Sequence, residues 1–271
     1  MTLKSTRVVA ITGGKGGVGK SNVALNLGVC LANKGKRVML LDADLGLANL
    51  DILLGIRSER TMEHVLDGTC DLRDILVTGP GGIQIIPASS GTQRLADLSE
   101  MEQAGIIHAF DDLEGQFDYL FVDTAAGISK TVLNFINASQ DVVLVVCNEP
   151  TSITDTYAVI KVMNQQFGSS RFHVVVNMVR SMKEAKQVFS KLERTANQFM
   201  DVALHYMGFV PYDEQLRQSV REQKSVCVRS PSSAVAKSFE SLARTMLNWP
   251  NAAPSEGRLE FFVNQLVSNH C

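Results

Sequence analysis

The chain has 271 residues, with 26 Lys and Arg against 28 Asp and Glu, a formal net charge of −2 and 45% hydrophobic residues. That suits one α/β domain, or two at most, with a substantial core, and offers no global basic field to draw the chain onto nucleic acid. Five scattered cysteines without a C-x-x-C pair, no run of 18 apolar residues and no signal-peptide h-region argue against a zinc site, a disulfide framework and a membrane span, and favour a reducing cytoplasm.

Taken in chain order, apolar β-branched runs alternate with helical patterns. Strands are expected at 8–12, 37–41, 84–86, 119–122, 142–146 and 173–176, with a short one near 207–210. Helices are expected at 22–33, 101–113, 130–138, 154–166, 185–199, 214–223 and 233–247. Continuous apolar strands separated by helices predict an α/β fold, a mostly parallel sheet covered on both faces. Ligands of such sheets sit at the carboxyl ends of the strands. A linker at 250–257 separates a main domain (1–249) from a last segment (258–271).

Between the first strand and the first helix lies Gly14-Lys15-Gly16-Gly17-Val18-Gly19-Lys20-Ser21, which fits G-x-x-x-x-G-K-[ST] in its strand–loop–helix context. The glycines let backbone N–H groups turn inward around phosphate oxygens, and the helix that opens at Asn22 adds partial positive charge. Lys20 is the side chain expected at the β- and γ-phosphates, and Ser21 the one expected on Mg²⁺. The second strand runs into Asp42-Ala-Asp44, two acids that extended chain would point to one side. Residues 119–127 read as a buried strand closing on Asp123, then a small-residue turn through Gly127.

The second loop lysine, Lys15, carries a resemblance. Residues 15–21 resemble the deviant Walker A box of the MinD/ParA P-loop ATPases, and the resemblance covers nearly the whole chain. It implies that two copies enclose two ATP molecules, with Lys15 reaching the partner's nucleotide. It implies that Asp44 orients the attacking water, that Asp42 supports Mg²⁺ or its water shell, and that Asp123 accepts from a Mg²⁺-bound water. It further implies a Gly127 N–H facing the γ-phosphate and slow ATP hydrolysis. Guanine-selective P-loop proteins carry [NT]-K-x-D, and 33–36 (Asn-Lys-Gly-Lys) lacks the acid. Asn177 and Pro211-Tyr212-Asp213 instead resemble MinD-type adenine contacts, although the family often has Asn-Arg where this chain has Asn177-Met178.

Leu259, Phe262, Val263, Leu266 and Val267 fall on one face of a helix, with Phe261 at its edge. Two readings stay open: an interfacial helix on a membrane surface through 258–269, or a helix packed on its own protein. The first would add a peripheral position on the inner membrane, at the cell pole. Strings at 41–51, 87–91, 122–128, 148–154 and 259–263 are similar to the flagellar-number regulators of this family. Those act on the flagellar master transcription activator and on the SRP-type GTPase FlhF. Only Met1–Thr6 precede the first strand, so restraint of the activator is expected ahead of stimulation of FlhF. Asp155, Tyr157, Lys161 and Asn164 are candidates for an effector surface, and Glu149 for a place near the dimer nucleotide. The alternatives are a DNA-segregating ParA-type or a cell-division MinD-type ATPase. A metabolic enzyme on this scaffold, such as a carboxylate ligase or a nitrogenase-reductase-like electron donor, is a further one. The net charge disfavours direct nucleic-acid binding, and no cysteine directly follows the 122–128 turn to hold an Fe–S cluster, Cys147 already reading as strand interior.

Overall fold

The computed structural model describes residues 6–44, 49–56, 58–88, 98–250 and 260–262. Eight strands form one sheet: β1 Arg7–Thr12, β2 Val38–Ala43, β3 Val77–Thr78, β4 Gln84–Ile86, β5 Tyr119–Thr124, β6 Asp141–Cys147, β7 Arg171–Val179 and β8 Ala203–Pro211. Their spatial order is β3-β4-β2-β5-β1-β6-β7-β8, parallel throughout except for the β3–β4 pair. The α/β reading therefore holds. Strands β2, β5 and β6 are buried along their whole length, which is why they read as unbroken apolar runs rather than alternating ones.

The helices described are α1 Lys20–Ala32, α2 Leu50–Leu54, α3 Met62–Leu66, α4 Glu100–Ala109, α5 Lys130–Asn137, α6 Pro150–Phe167, α7 Met182–Phe199, α8 Glu214–Arg221, α9 Val226–Arg229 and α10 Ala234–Leu247. Alternate residues of each strand feed different cores. Val143 and Val145 join α1 and α10 on one face, while Val142, Leu144 and Val146 join α5, α6 and α7 on the other. A third cluster gathers Met39 and Leu41 of β2 with Phe110 and Phe135.

At the sheet edge remote from the phosphate loop, Arg7 Nε donates to buried Asp141 at 2.7 Å and Arg7 Nη1 donates to the Pro250 carbonyl at 2.8 Å. The Trp249 ring stacks on His173 with 3.8 Å between centroids. This cluster fixes where the last long helix ends.

One expectation needs correction. Phe261 and Phe262 are each 2% exposed, and both meet Phe110 edge-on, at 5.0 and 6.1 Å between ring centroids. Phe262 has φ +61°, which an α-helix does not accommodate. The helical face drawn through Phe262 is thus interrupted, and these two rings serve the protein's own core. Leu259, Val263, Leu266 and Val267 lie outside the described residues, as does 251–257 of the expected linker.

Candidate nucleotide site

Parallel strands bring their carboxyl ends to one edge, and the loop after β1 meets the ends of β2 and β5 there. Gly17 and Gly19 adopt φ +78° and +90°, where only glycine is unstrained, so the loop can fold back ahead of α1. Two contacts set its shape from below. Asn177, buried in β7, donates its amide to the Val18 carbonyl at 2.7 Å and accepts from its neighbour's N–H, Met178, at 2.9 Å. A Cβ on Gly14 would stand 2.1 Å from the Asp155 carbonyl carbon, so α6 lies flush against the loop.

A cleft of about 770 Å³ opens over the loop, lined among others by Gly16, Gly19, Lys20, Ser21, Asn22 and Asp44. That falls within the roughly 300–1,000 Å³ of small-molecule sites. Lys20 is largely buried, and burial lowers its pKa while Asp123 and Asp44 oppose the shift. Asp42 and Asp123 are register partners on β2 and β5, both buried. Burial pushes Asp123 up to about 8, with the Asp42 charge adding to it; the Ser21 hydroxyl and Lys20 pull the other way. Burial also raises Asp42, to about 6, against three backbone N–H groups.

The hydrogen bonds divide these two acids. Asp42 Oδ2 accepts from the Asn49 and Leu50 N–H groups at 2.9 and 3.0 Å, and Oδ1 accepts from Asp44 N–H at 3.2 Å. Both of its oxygens are therefore engaged in capping α2 and shaping the turn. Asp123 Oδ1 is buried with no partner. An orphaned carboxylate oxygen beside a second acid and a serine hydroxyl is a donor set that fits Mg²⁺, an ion held through one or two carboxylates together with phosphate oxygens and water. Ser21 and Asp123 would hold it, with Asp42 behind them.

The other expected residues take distinct places. Lys15 turns away from the cleft: its Nζ lies 2.5 Å from Glu149 Oε2 and 3.0 Å from Thr151 Oγ1, and the Glu149 bond raises its pKa. The Gly127 N–H donates to the Gly13 carbonyl at 3.2 Å, so here it faces the loop backbone and not a phosphate position. Pro211 ends β8, and Asp213 caps α8 by accepting from Gln215 N–H at 2.8 Å. Tyr212 lines a neighbouring hollow with Asn148, Glu149, Arg180 and Glu184, and Met178 borders both spaces. In α6, Tyr157 packs partly into the core and Asn164 donates to the Ser169 carbonyl, which leaves Lys161 as the exposed member of the effector candidates. Sequence reasoning missed Ile52, Leu53, Val220, Arg221 and Gln223, all in the cleft wall. No motif marks them, because they arrive there by tertiary packing.

Comparison with known proteins agrees with this geometry. A family model described as ParA, "NUBPL iron-transfer P-loop NTPase", matches residues 4–247. The chain is 50% identical over 268 residues to antiactivator FleN of Pseudomonas aeruginosa, covering 99% of this chain and 96% of that protein. It is 36% identical to the flagellum site-determining protein YlxH of Helicobacter pylori, over 97% and 90% of the two chains. Among solved structures, the septum site-determining protein MinD of Pyrococcus horikoshii, complexed with Mg-ADP, superposes with TM-score 0.72 at 26% identity, over 90% of this chain and 96% of that one. The cell division ATPase MinD of Pyrococcus furiosus superposes with TM-score 0.74 over 89% and 98%. On these matches and the loop that accompanies them, the chain belongs to the ParA/MinD family of P-loop ATPases.

Proposed function

We propose that this chain is a slow ATPase switch. ATP brings two copies together around two nucleotides, and the paired form restrains a flagellar transcription activator, so limiting flagellar number or placement. The observation that supports the reading is an intact phosphate-and-metal cradle in a chain half identical, nearly end to end, to a protein named as an antiactivator.

Within the cradle, the loop N–H groups and Lys20 hold the phosphates, and Ser21 with Asp123 hold the ion. Bound Mg²⁺ would neutralise charge on the β- and γ-phosphates. Asp44, which follows β2 and lines the cleft, is assigned to orienting a water for in-line attack, and such hydrolysis asks for positioning and charge neutralisation rather than a covalent intermediate. For Lys15 to act on the partner's nucleotide it must leave Glu149, which would make pairing depend on triphosphate. Exposed Ile52 and Met178 at the cleft, and Ile128 beside Gly127, supply apolar surface of the kind such a pairing buries. We assign the base to the side of the loop bordered by Met178 and Tyr212, with Asn177 supporting the loop from beneath.

The test is genetic and direct. In a polar-flagellated strain lacking its own antiactivator, wild-type protein is expected to restore a normal flagellar count, while Lys20→Ala is expected to leave cells hyperflagellated. Restoration by Lys20→Ala as complete as by wild type would remove ATP from the account.

A further inference from the structure

We propose that Gln223 is a positioning residue for hydrolysis: its side chain clamps α2, and through α2 it holds the Asp42–Asp44 turn against the phosphate loop. The inference rests on the reading of Asp44 as the water-orienting acid.

Gln223 follows the end of α8 with φ +55°. Left-handed backbone at a helix C-terminus is ordinarily given to glycine, which fills it at no steric cost. Here a residue with a long side chain stands in that place, and the side chain is used. Its Nε2 donates to the Ile52 carbonyl of α2 at 2.8 Å, across 171 residues of sequence. The fit is close, since a Cβ on Gly55, itself at φ +63°, would come within 2.6 Å of Gln223 Oε1. A side chain at 55 would push the amide out of its present place. Backbone strain of this kind persists where the surroundings over-determine it, and it concentrates at functional sites.

The two ends of the clamp are both anchored. On one side, α2 presents its first N–H groups, those of Asn49 and Leu50, to Asp42 Oδ2. On the other, Ser225, two residues beyond Gln223, donates to Asn26 Oδ1 at 2.7 Å, and Asn26 Nδ2 donates to the Asn22 carbonyl at 2.8 Å. Asn22 lies in the first turn of α1, directly after Lys20 and Ser21. Hydrogen bonds at either end of the short stretch 223–225 thus join the phosphate-loop helix to the segment that carries the two acids. Among them the Gln223–Ile52 contact is the bond that ties the segment after α8 to α2. A five-residue helix has little stability of its own, so its orientation depends on such ties.

Two variants separate the side chain from the backbone. Gln223→Gly keeps the left-handed turn and removes the donor. Gln223→Glu keeps the length but turns an acceptor toward the Ile52 carbonyl. In full-length protein both are expected to lower kcat for ATP about tenfold, because small displacements of a reacting group are costly. KM for ATP and Kd for Mg-ADP are expected to stay within about twofold. Hydrogen exchange at the Asn49 and Leu50 amides is expected to speed up while amides of β1 and β5 keep their protection. An unchanged kcat would overturn the inference. So would a weakened Mg-ADP affinity at constant kcat, which would make Gln223 a nucleotide contact, or a lowered kcat with unaltered exchange at residues 49 and 50. Asp44→Asn, measured alongside, keeps the two readings distinct: full hydrolysis by that variant refutes the site reading, whereas the exchange measurement alone decides the clamp.

Discussion

Replacing Asp123 by Asn tests the buried acid pair most directly. Asp123 and Asp42 are register partners, both buried, and burial holds Asp123 up to about 8 and Asp42 up to about 6. An unfolded aspartate titrates near 3.9. Between about pH 6 and pH 8 the free folded protein therefore retains one proton that the unfolded chain has already lost. The sign follows from linkage. Where the native state binds more protons, stability falls as pH rises, by about 1.4 kcal/mol per pH unit for one proton. Over that window the pair costs the wild type about 3 kcal/mol. Asp123→Asn leaves no proton to lose there and places an amide donor beside Asp42. Urea unfolding with EDTA and without nucleotide, from pH 5.5 to 8.5, should show the variant's advantage growing with pH to about 3 kcal/mol, while it loses ATP hydrolysis. Parallel profiles for the two proteins, or a variant less stable at pH 8, would refute the pairing of these carboxylates as described.

Three further outcomes follow from packing and charge. Gly14→Ala drives a Cβ into the Asp155 backbone, so α6 must shift; fluorescent-nucleotide titration should show binding weakened by about tenfold or more, about 1.4 kcal/mol, and unaltered affinity would contradict the contact. Burial pushes Asp141 up, but the nearby His173 ring and the Arg7 hydrogen bond outweigh it and hold the carboxyl below the usual range; Arg7→Ala should cost about 3–5 kcal/mol in urea unfolding at pH 7, as removal of one partner of a buried pair does. In wild type the stability due to Asp141 is present above the ordinary carboxylate range and is lost as pH falls through it. Phe261→Ala removes a ring packed on Phe110 and Phe135 and should cost about 3–5 kcal/mol; a change below about 1 kcal/mol would show that the ring is not part of the core.

The central strands were readable because they are buried on both faces, so burial and apolar content coincide. Their ends were less so. Asp42 and Asp123 lie within β2 and β5, where an acid reads as a strand terminator unless its partners are known. The phosphate loop was legible because its chemistry demands a contiguous string. The wall opposite was not, since Ile52 comes from one segment and Arg221 and Gln223 from another, and the two meet only through tertiary packing. Helices of four or five residues such as α2 and α9 hold too few turns to show a 3.6-residue period. At the tail, the apolar spacing was visible, but the left-handed turn at Phe262 is imposed by packing against Phe110, which spacing does not encode. Asn177 was expected on the base and is found under the loop, a role that follows from its neighbour strand and not from its own surroundings in the chain.

In this reading, nucleotide state and pairing are one event governed by Lys15. Size-exclusion chromatography with light scattering, run with Mg-ADP and with a non-hydrolysable ATP analogue on wild type and Lys15→Ala, addresses it. Wild type should be monomeric with ADP and dimeric with the analogue, and Lys15→Ala monomeric in both. A wild type that stays monomeric with the analogue, or a Lys15→Ala variant that pairs as fully as wild type, would contradict the account.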